Sequence, residues 1–213
     1  MRWVRVLGFL AFCFIASSVL AANFTYTVTG TYPQIPTGNQ YFHDLYANSP
    51  LIADNQPFSI QFNISGVPDS QYTYTNVNDF GWFRYNNVPI TFLLNGQSVA
   101  TTPVAVEFAQ DLSQSYTDLF VIFSDGTTVW HYDMYNWNPG KFWTGLPTSP
   151  QFSTGTFTNL GAGVDTFGVY WNVSENPWTL EVVESQSTVP EPSGFLLLGG
   201  GLAAVLTQLR RKP

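Results

Sequence analysis

The sequence predicts an all-β protein, an antiparallel β-sandwich or jelly roll, on three observations. The central part of the chain is rich in Thr, Asn, Tyr, Phe and Trp and poor in Lys, Glu and Ala, which is a composition typical of strands. Short segments of alternating apolar and polar residues recur along it, with turn residues between them. No segment keeps the 3.6-residue period of an amphipathic helix. Many short strands of this kind are typical of sandwiches and jelly rolls.

The alternating segments predict the strands in order along the chain. The clearest strand is residues 58–65, in which every second residue is apolar. Residues 31–56 contain Pro33, Pro36 and Pro50, and they predict a long surface connection. The other strands are predicted at residues 24–29, 72–74, 80–85, 89–94, 97–100, 104–108, 119–123, 127–130, 152–157, 166–173 and 178–183.

Two of the predicted turns have the same chemistry. Asn95-Gly96 and Asp125-Gly126 each separate two consecutive strands. Because both dipeptides tolerate a left-handed backbone, they predict tight two-residue hairpins of the primed type.

Residues 1–21 have the pattern of a secretory signal peptide. Arg2 and Arg5 precede an apolar stretch at residues 6–15, and small residues follow it at the cleavage site. We predict cleavage after Ala21, with cleavage after Ala22 as the alternative.

The segment at residues 186–213 combines a polar linker with three further features. Val189-Pro190-Glu191-Pro192 is followed by an uncharged apolar stretch at residues 194–209, and then by Arg210, Arg211 and Lys212. The apolar stretch predicts a short membrane helix, and the basic residues favour the cytoplasmic side, which leaves the preceding chain outside. This order of box, helix and basic cluster resembles the PEP-CTERM sorting signal of exported bacterial proteins.

The resemblance implies a partner and a destination. Proteins with this signal are recognised by exosortase, a membrane protease-transpeptidase that removes the segment near the box. The chain would then be anchored in the inner membrane only transiently, before it passes to the cell surface or the extracellular matrix. The resemblance covers the C-terminal segment alone and implies no catalytic residue.

The exported domain, residues 22–185, is strongly acidic and contains no cysteine. The only cysteine, Cys13, lies in the predicted signal peptide, so disulfides cannot stabilise the domain. Of the seven basic residues, only Arg84 and Lys141 fall in the domain, against thirteen acidic ones, which gives a net charge of −11. Such a surface repels nucleic acid and is typical of an extracellular protein.

The richest local feature is the aromatic stretch at residues 130–143. Aromatic faces stack on sugar rings, and the neighbouring amides and carboxylates can bind sugar hydroxyls, so the stretch predicts a carbohydrate-binding site. The alternative interpretation is that these rings belong to the core. The candidate glycan-binding residues are Trp130, Tyr132, Tyr135, Trp137 and Trp143.

Enzymatic and metal chemistry have weaker support in the sequence. His43 and His131 lack the partners of a hydrolase triad or a zinc site, and no catalytic motif is present. A glycan-active hydrolase would need a carboxylic acid, for which Glu107 is the candidate.

A calcium loop has a faint counterpart in the sequence. The candidate oxygen ligands alternate along one segment, but the glycine and the terminal glutamate of such a loop are missing. These residues are Asp111, Ser113, Ser115 and Asp118.

The sequence thus predicts an exported bacterial surface or matrix protein that is not an enzyme and needs no cofactor. Its expected role is structural or adhesive, in association with exopolysaccharide or biofilm. The alternatives are a carbohydrate-binding module that uses residues 130–143 and a glycan-active hydrolase.

Overall fold

The computed structural model describes residues 23–65, 67–74, 80–111, 116–136, 143–144, 151–166 and 168–185. The predicted signal peptide and the predicted sorting segment lie outside these residues. Within the described residues the protein has one helix, α1 (Gln40–Ala47). The strands are β1 (Asn23–Thr31), β2 (Pro57–Ser65), β3 (Ser70–Tyr74), β4 (Phe80–Asn86), β5 (Ile90–Leu94), β6 (Gln97–Val99), β7 (Thr102–Asp111), β8 (Tyr116–Ser124), β9 (Val129–Asn136), β10 (Trp143–Thr144), β11 (Gln151–Phe152), β12 (Gly155–Thr166), β13 (Val169–Asn172) and β14 (Trp178–Ser185).

All strand pairs in the described part of the chain are antiparallel, which confirms the predicted fold class. The hydrogen-bonded order is β3-β4-β7-β8-β9-β12-β14-β1-β2-β5-β6, with β13 paired to β12, and β10 and β11 form a separate pair. Strand β12 divides this path into two sheets, because its first half pairs with β14 and its second half pairs with β9. We call the β14 side sheet A and the β9 side sheet B.

The two sheets pack face to face through aromatic rings. Phe92 of sheet A contacts both Phe123 and Tyr132 of sheet B, with ring centroids 5.5 Å and 5.8 Å apart. Tyr26 of sheet A likewise lies 5.5 Å from Phe108 of sheet B. Large buried rings supply the apolar area that a domain without disulfides needs for stability. The architecture is therefore a β-sandwich with an aromatic core.

The predicted surface connection at residues 31–56 is wrong. This segment contains α1, and it buries Tyr32, Tyr46 and Leu51 completely. The Tyr32 hydroxyl donates to the backbone oxygen of Leu51 at 2.9 Å, and the Tyr46 hydroxyl donates to the backbone oxygens of Val164 and Val169. The prolines do interrupt regular structure, but the residues between them cover one end of the core.

The two predicted hairpins are both present, but only one has the predicted turn. Asn95 and Gly96 both have positive φ, 49° and 76°, as a primed two-residue turn requires. The second connection spans four residues, because β8 ends at Ser124 and β9 begins at Val129. Its geometry is set by Asp125, whose carboxylate accepts from the backbone N–H groups of two later turn residues.

The predicted boundary between residues 152–157 and 166–173 is also wrong. Strand β12 runs from Gly155 to Thr166, with a register shift between Phe157 and Leu160, through residues 158–165, which the sequence pattern assigns to no strand. The sheet tolerates Gly161 and Gly163 because the rings of Tyr135 and Tyr170 occupy the space where their side chains would be.

None of the helices in the described part of the chain is long and apolar enough to cross a membrane. The apolar stretch that predicts the membrane helix is outside that part.

Candidate functional site: a groove beside helix α1

The predicted glycan-binding residues do not form one surface. Trp130 and Tyr132 are buried, with 1% and 0% of their surface exposed, so neither offers a ring face to a ligand. Tyr135 is half-buried on the outer face of sheet B. Trp137 lies outside the described residues, and of Trp143 only the backbone in β10 is described. For Trp130 and Tyr132, the structure therefore supports the alternative interpretation, that these rings belong to the core.

Both buried rings join the core to the segment around α1. The Tyr132 hydroxyl lies 2.6 Å from that of Tyr32, and burial raises the pKa of both phenols. The ring centroids of Trp130 and Tyr46 of α1 are 5.4 Å apart, and those of Tyr46 and Trp171 of β13 are 5.2 Å apart. These contacts hold α1 against the end of the sandwich.

Helix α1 itself begins at a polar cap. Asn39 has an extended backbone, and its side-chain oxygen accepts from the backbone N–H of Phe42 at 3.2 Å. An isolated helix of eight residues is not stable in water. The buried contacts of Tyr46 therefore stabilise it.

A groove of about 330 Å³ lies between α1 and the four-residue turn from β8 to β9, and we call it the α1 groove. One wall consists of Tyr41 and Asp44 on one face of α1 and of Asn48, the C-cap residue, which continues the helical spacing. Tyr41 is 70% exposed. The other lining residues are Leu45, Ser49, Asp125, Thr127, Thr128 and Trp130.

Asp125 forms the wall opposite α1 and stays ionised. Partial burial alone would raise its pKa, but the backbone N–H groups of Thr128 and Thr127, the Thr127 hydroxyl and the Trp130 indole N–H all donate to it. Together these hydrogen bonds lower the pKa of Asp125 to about 2. Oδ1 of Asp125 is committed to the turn, while Oδ2 accepts from Trp130 of β9 and from the Ser49 hydroxyl at 3.4 Å. The groove therefore has a negatively charged wall at neutral pH.

The polar atoms on the α1 wall remain partly open. Asp44 Oδ1 accepts from Gln40 Nε2 at 2.6 Å, but Oδ2 of Asp44 has no partner among the described residues. Asn48 Nδ2 donates to the backbone oxygen of Asp44 at 2.7 Å, which leaves its side-chain oxygen available. The groove thus combines an exposed aromatic ring with acceptor oxygens, and none of its lining residues is basic.

A second group of polar side chains occupies the outer face of sheet B. Burial raises the pKa of Asp133 to about 10, and a hydrogen bond with Asp118, the charge of Asp118 and the charge of Asp165 act in the same direction. Asp133 is therefore protonated at neutral pH. Next to it, burial and the charge of Asp133 raise the pKa of Tyr170.

The candidate acid of a hydrolase is engaged in a local network. Glu107 lies on the outer face of β7, where it forms an ion pair with Arg84 and accepts from Trp82 Nε1 at 3.1 Å. The sequence indicates an outward-facing strand residue at this position, and the geometry agrees.

Only two of the four candidate calcium ligands lie among the described residues. Asp111 ends β7 and Asp118 lies within β8, while Ser113 and Ser115 are outside the described residues. Among the described residues, no group of three or more His, Cys, Asp or Glu side chains is arranged to hold a metal ion.

The ends of the described domain lie far from the α1 groove. Asn23 of β1 is directly opposite Ser185 of β14, so both ends of the domain emerge at one end of the sandwich. Strand β1 then runs to Thr31, about 26 Å away at 3.3 Å per residue. Tyr32 follows immediately, and its ring stacks 6.1 Å from Trp171, which contacts α1.

The fold is that of a β-sandwich whose last strand leads directly into the C-terminal segment. Residues 188–212 match the family model of the PEP-CTERM protein-sorting motif, which confirms the resemblance seen in the sequence. The motif indicates an exported protein that is sorted by exosortase. No curated protein and no solved structure shows significant similarity to the chain.

The residues of the α1 wall are not among the site residues that the sequence predicts. Tyr41, Asp44 and Asn48 fall in the segment interpreted as a connection. A signal was present, because Asn39 is a good helix cap and Phe42, Leu45 and Tyr46 follow at helical spacing. The segment is too short for this pattern to stand out from the surrounding prolines.

Proposed function

We propose that the exported domain is a non-catalytic, adhesive component of the extracellular matrix that binds exopolysaccharide. The sorting motif supports export, and the net charge of −11 on residues 22–185 suits a protein that stays soluble outside the cell. A protein of this kind needs one end for sorting and a different surface for binding.

The observation that carries the proposal is that the sorting end and the α1 groove lie at opposite ends of the domain. Ser185, three residues before the sorting motif, lies at one end of β1, while the α1 groove lies beyond the other end. A partner could therefore occupy the groove while the sorting segment is still held at the membrane.

The experiment is co-sedimentation with the polysaccharide of the cells that produce the protein. The full-length gene is expressed in those cells, and the processed protein is collected from the surface fraction and mixed with purified, deproteinised exopolysaccharide. We expect the protein to sediment with the polymer and to release no reducing ends from it. A protein that stays in the supernatant contradicts the adhesive role, and the release of reducing ends contradicts the non-catalytic one.

A further inference from the structure

We propose that the α1 groove binds a neutral sugar unit of a polysaccharide, with Tyr41 as the stacking platform and Asp44 and Asn48 as acceptors for sugar hydroxyls. This inference rests on the proposed function, since it names the site and the sugar class through which the domain would bind exopolysaccharide.

Tyr41 is a large aromatic side chain that is 70% exposed at the rim of a groove. The other large aromatic rings of α1 and of its surroundings are turned inward, where Phe42, Tyr46, Trp130 and Trp171 pack on one another. A sugar ring presents an apolar face of C–H groups, which an aromatic face covers well. Tyr41 can supply such a face without any rearrangement of the core.

The acceptors lie on the same side of α1 as this ring. Residues 41, 44 and 48 are three and four positions apart, so their side chains follow one another along one face of the helix. Asp44 Oδ2 and the side-chain oxygen of Asn48 have no partners among the described residues, and both can accept hydrogen bonds from hydroxyl groups. Sugar hydroxyls match this pattern, because each of them can donate.

The charge of the groove selects among sugars. Asp44 and Asp125 line it, no lining residue is basic, and hydrogen bonds from the turn and from Trp130 keep Asp125 ionised. His43 is not a lining residue, and its Nδ1 lies 3.5 Å from Asp44 Oδ1, which leaves Asp44 Oδ2 free. A uronic acid or a sulfated sugar would be repelled in this site, whereas a neutral sugar would not. The volume of about 330 Å³ lies at the lower end of the range for small-molecule sites, about 300–1,000 Å³.

The test uses processed protein from cells that express the full-length gene, in its natural form and as four variants. Binding of neutral gluco- and galacto-oligosaccharides, and of oligogalacturonate as the anionic counterpart, is measured by titration calorimetry. We expect binding to the neutral sugars only. The dissociation constant should rise at least about tenfold for Tyr41→Ala, as for the loss of an anchor residue, and also rise for Asp44→Asn. It should change less than about threefold for Tyr41→Phe, which keeps the ring face.

Tyr170→Ala is the matched control, because Tyr170 is another exposed tyrosine but lies on the outer face of sheet B. We expect it to bind like the natural protein. Equal binding by Tyr41→Ala, or equal loss in Tyr170→Ala, would overturn the assignment of the groove. Preferential binding of oligogalacturonate would overturn the assignment of sugar class.

The two proposals fail in different ways. If the natural protein sediments with its native exopolysaccharide and Tyr41→Ala sediments equally well, the groove is the wrong site but the adhesive function stands. If the natural protein does not sediment at all, the adhesive function itself fails. Thermal melting of each variant shows whether the fold is intact, and Tyr41 is exposed enough for its removal to leave the core unchanged.

Discussion

Asp133 lies on the outer face of sheet B, where Asp118 and Asp165 act on its carboxyl group. Burial is the largest cause of its raised pKa, and a hydrogen bond and negative charge from Asp118 add to it. The folded protein therefore holds a proton on Asp133 at pH 7 that the unfolded chain releases. This difference makes the stability of the domain depend on pH.

We predict that Asp133→Asn stabilises the domain at neutral pH. The folded pKa of about 10 lies above the ordinary value of 3.8, so the free energy of unfolding of the natural protein falls as the pH rises from about 4 towards 10. The amide needs no proton and can still donate to Asp118. The free energy of unfolding of the variant, minus that of the natural protein, should be more than about 1 kcal/mol larger at pH 8 than at pH 4, since one pKa unit corresponds to about 1.4 kcal/mol.

Urea unfolding of both proteins between pH 4 and pH 8 measures this difference. Two stability curves that run parallel across the range would show that Asp133 carries no extra proton in the folded state.

Burial also decides the roles of the aromatic residues at 130–143. In β9, Trp130, Tyr132 and Met134 face the core, and His131, Asp133 and Tyr135 face outward. The alternation is visible in the sequence, and Trp130, Tyr132 and Met134 form the more apolar set, but tyrosine and tryptophan also suit binding surfaces, so the pattern leaves a binding role open. Only the packing of sheet A against sheet B decides which set is inside.

At the scale of the element, β12 depends on two tyrosines from neighbouring strands. Gly161 and Gly163 lie on its outer face, and a Cβ atom at either position would collide with the ring of Tyr135 or of Tyr170. Rings that cover strand glycines restore the contacts that the missing side chains would make. This device lets a glycine-rich segment cross from one sheet to the other.

We predict that Gly163→Ala destabilises the domain by about 1–3 kcal/mol, the usual cost of overpacking. The added methyl group would displace the Tyr170 ring. In a Tyr170→Ala background the same substitution should cost much less, because the obstructing ring is gone. Thermal or urea unfolding of the natural protein, the two single variants and the double variant gives the coupling free energy between positions 163 and 170.

The outcome that contradicts this interpretation is additivity. If Gly163→Ala costs the same with and without the Tyr170 ring, the glycine is required for some other reason.

Helix α1 depends on contacts with residues that are distant in the sequence. Its eight residues carry a polar cap and an apolar pattern, yet they are too few to form a helix independently. Tyr46 reaches the backbone of β12 and β13 and supplies the missing stability. A contact over more than a hundred residues of sequence cannot be predicted from local pattern.

At the scale of the whole molecule, sorting and folding use separate parts of the chain. Every strand and helix within the described residues ends by Ser185, and the PEP-CTERM motif covers residues 188–212. The described fold therefore ends before the sorting motif begins.

We predict that truncation after Gln186 abolishes membrane anchoring and leaves the melting temperature of the domain within about 2 °C, since every described strand and helix ends by Ser185. In cells without exosortase, the full-length chain should accumulate in the membrane fraction. The truncated chain should not.

Leu196→Ile is the matched control, since it keeps the apolar character of residues 194–209, and it should accumulate like the natural chain. Retention of the truncated chain in the membrane fraction would mean that another part of the protein anchors it.

The sequence by itself determined the strand-rich class, the absence of disulfides in the exported domain and the sorting signal, because composition, alternation and linear motifs are local properties. It also placed the first hairpin, since Asn95-Gly96 specifies its own turn. The tertiary structure alone decided that Trp130 and Tyr132 are core residues and that α1 forms. It likewise brought Tyr41, Asp44 and Asp125 around one groove, because these outcomes depend on which distant surfaces pack together.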